Sequence, residues 1–192
     1  MTNRFLNPKS ENDTDGILHH YKDKYNIVPS STNLYTPRIQ FITDGVINDS
    51  DWCSYDKEFS FFELDFLKGY TFLFFGYTFV VRSKLSGKIP KSWNITGNTG
   101  YNWIDIDEKV NYLSDSDTWH FDVNSTGNTF NKILFKQTEA NLAGNHHFCI
   151  KEFEVFGILT KNGDYCSYNH YLIYESSFFS NFISLIVNFY SN

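Results

Sequence analysis

A chain of 192 residues can bury a sizeable single-domain core without needing a disulfide or a metal to fold. Its 20 Phe, 13 Tyr and single Met favour strands over helices. A net charge of −6 with no basic stripe argues against nucleic acid as a partner.

The first residues, MTNRFLNPKSENDTDG, hold no apolar run of the secretory kind. Residues 1–15 therefore read as a disordered polar leader. Gly16 to Asn26 suits either a short helix or a first strand. Pro29-Ser30-Ser31-Thr32 opens a loop that runs to about Gln40, and Phe41 to Gly45 ends in a turn. Residues 59–67 alternate, with Phe62, Leu64 and Phe66 on one face and Phe61, Glu63 and Asp65 on the other. Residues 72–82 are almost continuously apolar, as in a central strand, and Gly76 within them marks a bulge or a close backbone approach.

A basic loop, Ser83 to Lys91, leads into strand, polar turn and strand over Lys91 to Asp107. Trp93 and Ile95 point inward, Gly97 to Gly100 make the turn, and Trp103, Ile104 and Ile106 return. Both tryptophans are expected in the core. Residues 118–123 and 130–137 are further strands. After a polar loop, Thr138 to His146, residues 147–159 form one last long strand. Short strands separated by Gly, Asn and Asp turns make residues 16–159 an all-β antiparallel sandwich.

Beyond Thr160 the chain is polar-aromatic and then apolar. Its apolar part, Phe178 to Tyr190, is shorter than the ~17–25 residues that cross a bilayer, and it carries no Lys or Arg to meet anionic lipid. It reads as a short amphipathic helix docked on the domain or on a partner. Peripheral membrane attachment and a disordered tail are the alternatives. Cys53, Cys149 and Cys166 are odd in number and lack metal-ligand spacing. They read as reduced thiols in a cytoplasmic protein, with Cys53 a buried free thiol.

The order of signals from Gly16 to Leu159 resembles a discoidin domain, also called the factor V/VIII type C domain. The resemblance rests on Ser30-Ser31, Thr43-Asp44-Gly45, Trp52-Cys53-Ser54, the strand FFELDF, and YTFVVRS from Tyr77 to Ser83. It continues through Pro90-Lys91-Ser92-Trp93, Trp103, Asp105-Ile106-Asp107 and Phe135-Lys136-Gln137-Thr138. Asn141, Gly144-Asn145 and Glu152-Phe153-Glu154-Val155-Phe156-Gly157 close it. It is most similar to the intracellular form found in unicellular eukaryotes. The resemblance implies a galactose-binding-like jelly roll that binds a ligand, without catalysis, through loops at the end opposite the termini.

Because the last strand ends near the termini, the loop before it lies at that far end, and the family pattern adds loops 29–40 and 83–90. These supply Leu34, Tyr35 and Arg38, then Lys84, Leu85 and Lys88, then Asn141, Asn145 and His146. Aromatic, guanidinium, amide and imidazole groups suit a sugar ring. The resemblance also implies a structural calcium ion at Asp44, Asn48, Asp49, Asp51 and Glu152, with the choice between Asp49 and Asp51 left open by the spacing; these are hard oxygen ligands of the kind calcium needs. No Ser-His-Asp, Cys-His or phosphate-loop signature points to an enzyme. The expected ligand is a glycan; a cytoplasmic protein partner is the alternative, and a phospholipid surface a further one.

Overall fold

The computed structural model describes residues 4–6, 16–36, 38–47, 51–81, 87–124 and 126–161. In chain order its elements are β1 (Arg4–Leu6), α1 (Ile17–His20), β2 (Tyr25–Pro29), a 3₁₀ turn (Ile39–Thr43), β3 (Trp52–Cys53), β4 (Phe61–Phe66), β5 (Tyr70–Val80), β6 (Trp93–Asn98), β7 (Trp103–Lys109), β8 (Thr118–Asp122), β9 (Thr129–Phe130), β10 (Lys132–Gln137), β11 (Cys149–Ile150) and β12 (Glu152–Lys161). All strand pairs are antiparallel. Sheet A runs β1-β12-β5-β8, with β9 also on β5; sheet B runs β2-β4-β10-β6-β7; β3 and β11 form a separate ribbon. This is the β-sandwich expected from the alternation.

The alternating residues of β4 and β10 bury Phe62, Leu64, Phe66, Ile133 and Phe135 against Phe72, Phe74, Tyr77, Phe79, Phe153 and Val155 of sheet A. Aromatic rings dominate the seam. Phe62 stacks on Phe135 at 5.0 Å, and Phe135 meets Phe153 edge-on at 4.5 Å. Such pairs add roughly 0.5–1.5 kcal/mol beyond the area they bury. One polar clip crosses the seam: Trp93 Nε1 donates to the Tyr77 hydroxyl at 3.0 Å, and that hydroxyl donates to Asp107 at 2.7 Å. Burial, with the Asp107 charge beside it, drives the Tyr77 phenol far above its ordinary pKa, so it stays a donor.

Gly76 fulfils both expectations. The β5–β12 register slips at Phe156/Gly157, and a Cβ on Gly76 would lie 2.8 Å from the Phe121 carbonyl. Gly16 to Pro29 supplies both a helical turn and a strand.

Four expectations need correction. Trp103 is 47% exposed, because β7 is an edge strand whose inward positions are Ile104 and Ile106. The hairpin tip is Thr99 to Asn102, with Gly97 and Asn98 still paired in β6. The last strand is broken at Lys151, which separates β11 from β12. Arg4–Leu6, within the expected leader, pairs with Gly157–Leu159. The amphipathic segment, Phe178 to Tyr190, and Cys166 lie outside the described residues. No helix among the described residues is long and apolar enough to cross a membrane.

Candidate functional site

Register fixes the two ends of the sandwich. Lys161 pairs with Tyr70 and Arg4 with Leu159, so both ends of the described chain lie together. Glu152 pairs with Val80 at the opposite end, where Pro29 meets Phe62 and Gln137 meets Trp93. The loops after β2, before β4, before β6 and before β11 therefore gather at this far end.

The β3–β11 ribbon is what they hang on. Cys53 and Cys149 face each other across it, 4.2 Å apart at Cα, and form a disulfide. This overturns the reading of reduced thiols. The two cysteines are 96 positions apart in sequence, and only the strand register makes them neighbours. On one side of the ribbon, Asn33 N donates to the Cys53 carbonyl at 2.9 Å and Trp52 Nε1 donates to Thr32 at 3.1 Å. On the other, His147 Nδ1 lies 2.9 Å from the Ser54 carbonyl, and Phe148 N donates to the Ser54 hydroxyl at 2.9 Å.

Leu34 and Tyr35 stand out from the first loop, 82% and 95% exposed. Arg38 is exposed at the start of the 3₁₀ turn. Lys88 is half-buried. Lys84 and Leu85 lie outside the described residues. Asn141 is buried, and its amide is spent on its own loop. Nδ2 donates to Asn145 Oδ1 at 2.6 Å and to the His147 carbonyl at 3.0 Å, while Oδ1 accepts from Ala143 N and Asn145 N. All four of its hydrogen-bonding capacities are filled, so Asn141 shapes the loop that presents Asn145 and His146. His146 is fixed through its backbone N–H, which donates to Asp56 at 2.7 Å.

Asp56 was not among the residues singled out from sequence, nor were Tyr55 and Phe59 in the same loop. Phe59 is the clearest omission: it is 57% exposed and holds φ +58°, which a bulky residue seldom adopts. The run Tyr55-Asp56-Lys57-Glu58-Phe59 is polar with aromatic ends, a composition that could have marked it.

A second cluster lies beside β12. Glu152 is fully buried; Oε1 accepts from Gly45 N at 3.0 Å, and Oε2 has no hydrogen-bond partner among the described residues. Burial pushes its carboxyl up to about 8, reinforced by the charges of Asp44 and Glu154. Glu154, also buried and raised by burial to about 8, accepts from Leu18 N, His19 N and Val155 N. The Asp44 carboxylate accepts from Val46 N at 2.8 Å, and its carbonyl meets His19 Nδ1 and Lys22 Nζ. Gly45 is required here: its φ is +76°, and a Cβ would strike the His19 ring. Asp51 is placed differently, with a carboxylate oxygen 3.5 Å from the Cys53 sulfur. Asp51 and the two cysteines form a tight buried group, but both sulfurs are committed to the disulfide. Asn48 and Asp49 lie outside the described residues.

Two arrangements invite comparison with catalytic sites. Glu63 and Asp65 both pair with Lys132, at 2.9 and 3.2 Å. Thr78, His120 and Asp122 form a hydrogen-bonded row, but Thr78 is fully buried.

No protein-family model matches the sequence, and no curated protein matches it. Solved structures do resemble the fold. One is CpGH89CBM32-5 from Clostridium perfringens, in complex with GalNAc-β-1,3-galactose: 19% identical, TM-score 0.53, over 69% of this chain and 95% of that one. Another is the C-terminal domain of a chitobiase from Bacteroides fragilis: 17% identical, TM-score 0.57, over 73% of this chain and 97% of that one. A third is the family 32 CBM of Clostridium perfringens NanJ in complex with galactose: 14% identical, TM-score 0.52, over 70% and 95%. At identities this low the likeness shows the fold alone, an antiparallel β-sandwich, and leaves the ligand to be argued from the site.

Proposed function

We propose that this chain is a non-catalytic carbohydrate-recognition module that seats its ligand on the far-end loops. The observation that carries the reading is the convergence of those loops on one cross-linked ribbon, which places an exposed Tyr35 and an anchored His146 at the same end. Tyr35 offers a face for the apolar side of a sugar ring, and Arg38, Asn145 and His146 offer groups for its hydroxyls. The sugar-bound structures that share the fold support a glycan as the ligand class. The disulfide fits an oxidising compartment better than the cytoplasm. It removes one ground for a cytoplasmic protein partner, the reading of the cysteines as reduced thiols.

Calcium is the second part of the reading. An unpartnered, buried carboxylate oxygen on Glu152 is what a hard cation satisfies, and the Asp44 turn beside it supplies further oxygens. Bound there, calcium would hold the Asp44–Gly45 turn to β12 by charge; the sugar contacts belong to the loops.

A glycan array probed with the full-length protein, with calcium and again with chelator, tests both parts. Binding to one sugar class, weakened about tenfold or more by Tyr35→Ala and by His146→Ala, is the expected result. A folded protein that binds no glycan, or binds equally well after both substitutions, overturns the loop site.

A further inference from the structure

The two outer faces of the sandwich differ. On sheet A, the outward Thr78, Glu152, Glu154 and Phe156 are fully buried. On sheet B no outward side chain is buried, over five strands. The register draws this open face row by row. Trp103 lies beside Asn98, Thr96 beside Leu134, and Asn94 beside Lys136, which faces Phe61. Phe59 extends the last row, with Lys136 Nζ 5.9 Å from its ring centre.

We propose that the outward face of sheet B is a second ligand surface, a lane for an extended, uncharged polysaccharide running from Phe59 and Phe61 across Asn94 and Thr96 to Trp103. This goes beyond the far-end site and does not depend on it.

Three observations select that occupant. The first is the aromatic spacing. Phe61 and Trp103 are three strands and four residues apart, which at about 4.8 Å per strand and 3.4 Å per residue is a diagonal of roughly 20 Å. That is the reach of several sugar rings, with a stacking surface at each end. The second is the unused polar groups between them. The Asn94 amide and the Thr96 hydroxyl have no partner among the described residues, and both can donate and accept, as hydroxyl recognition demands. The third is charge. Lys132 is already paired with Glu63 and Asp65, and Lys136 lies over Phe59. Asp105 and Glu108 are exposed along the β7 edge. An anionic polymer would be repelled from that rim, whereas a neutral polyhydroxyl chain is not, and the Lys136 charge that falls within the lane lies over the Phe59 ring.

The experiment is affinity electrophoresis of the full-length protein in gels containing hydroxyethylcellulose, galactomannan, xylan or galactan. Light scattering runs in parallel. Bacterial expression leaves the Asn94-Ile95-Thr96 acceptor sequence unmodified. At least one polymer should retard the protein. Trp103→Ala and Asn94→Ala should each weaken that retardation about tenfold, while Lys68→Ala, exposed in the turn between β4 and β5, leaves it unchanged. Trp103 and Asn94 lie on the surface, so a melting curve confirms that both variants fold. Three results overturn the proposal: no retardation of the folded protein by any polymer; retardation lost with Tyr35→Ala and kept with Trp103→Ala; or a dimer that Trp103→Ala dissociates, which would make this face a contact between copies. A failed glycan array leaves this outcome untouched, because the loop variants and the sheet variants report on different surfaces.

Discussion

Glu152 is where a single side chain couples stability to solution conditions. Its carboxyl titrates near the ordinary 4.5 in the unfolded chain and at about 8 in the folded one. Between those values the folded protein keeps a proton that the unfolded chain has lost. Stability from this group is therefore full below about 4.5 and declines as pH rises towards 8. The total is on the order of a few kcal/mol, at roughly 1.4 kcal/mol per pKa unit. The proposed calcium ion would bind the deprotonated form, so it should raise the melting temperature little at the acidic end of this window and most at its alkaline end. Glu152→Gln should lessen the pH slope in chelator, with Glu154, also raised to about 8, carrying the remainder, and abolish the response to calcium. Melting curves across the window, with and without calcium, check this. An unchanged slope in Glu152→Gln, together with no calcium response in the parent, rejects the site. Glu154 should behave differently despite lying two residues away. Its carboxylate accepts from three backbone N–H groups at the start of α1 and on β12, so Glu154→Gln removes acceptors and destabilises.

At the scale of elements, the β3–β11 ribbon matters more than its length suggests. It pairs only Trp52 with Ile150 and Cys53 with Cys149, yet loops of the candidate site are bonded to its flanks. A disulfide typically contributes about 2–4 kcal/mol, chiefly by limiting the unfolded chain. Replacing both cysteines by Ser should lower the melting temperature by roughly 5–15 °C. It should also weaken glycan binding more than a surface substitution of equal stability cost, because Asn33 and His147 lose a fixed anchor. Equal binding in the double variant would show that the loops hold themselves. The main strands were legible because β4, β6, β8 and β10 alternate strictly, and β5 reads as buried on both faces. The ribbon was not legible. Two-residue strands have no periodicity, and Cys53 meets Cys149 only through tertiary register. Trp103 misled for a related reason: its neighbours Ile104 and Ile106 supply an inward pattern that the tryptophan itself does not join. In the candidate site, Tyr35, Arg38 and Asn145 could be named from loop position. Asp56 had only the weak signal of its polar, aromatic-ended run, and the bond to His146 N that ties it to the site is tertiary; Asn141 read as a ligand contact, whereas its amide is fully engaged within its own loop.

At the scale of the whole molecule, the described core closes on itself before the last segment begins. The twelve strands of the described residues fall between Arg4 and Lys161, and compactness divides the chain after Lys161. The last described strand, β12, is paired along its full length, Glu152 with Val80 through Lys161 with Tyr70, so a cut after Lys161 severs no strand pairing among the described residues. A chain ending at Lys161 should therefore melt cooperatively within about 5 °C of the full-length protein, a difference worth roughly 1–2 kcal/mol at this size. It should give the same pattern on the glycan array. Calorimetry of the two chains makes the comparison directly. A fall of more than about 10 °C would show that residues 162–192 bury surface on the sandwich.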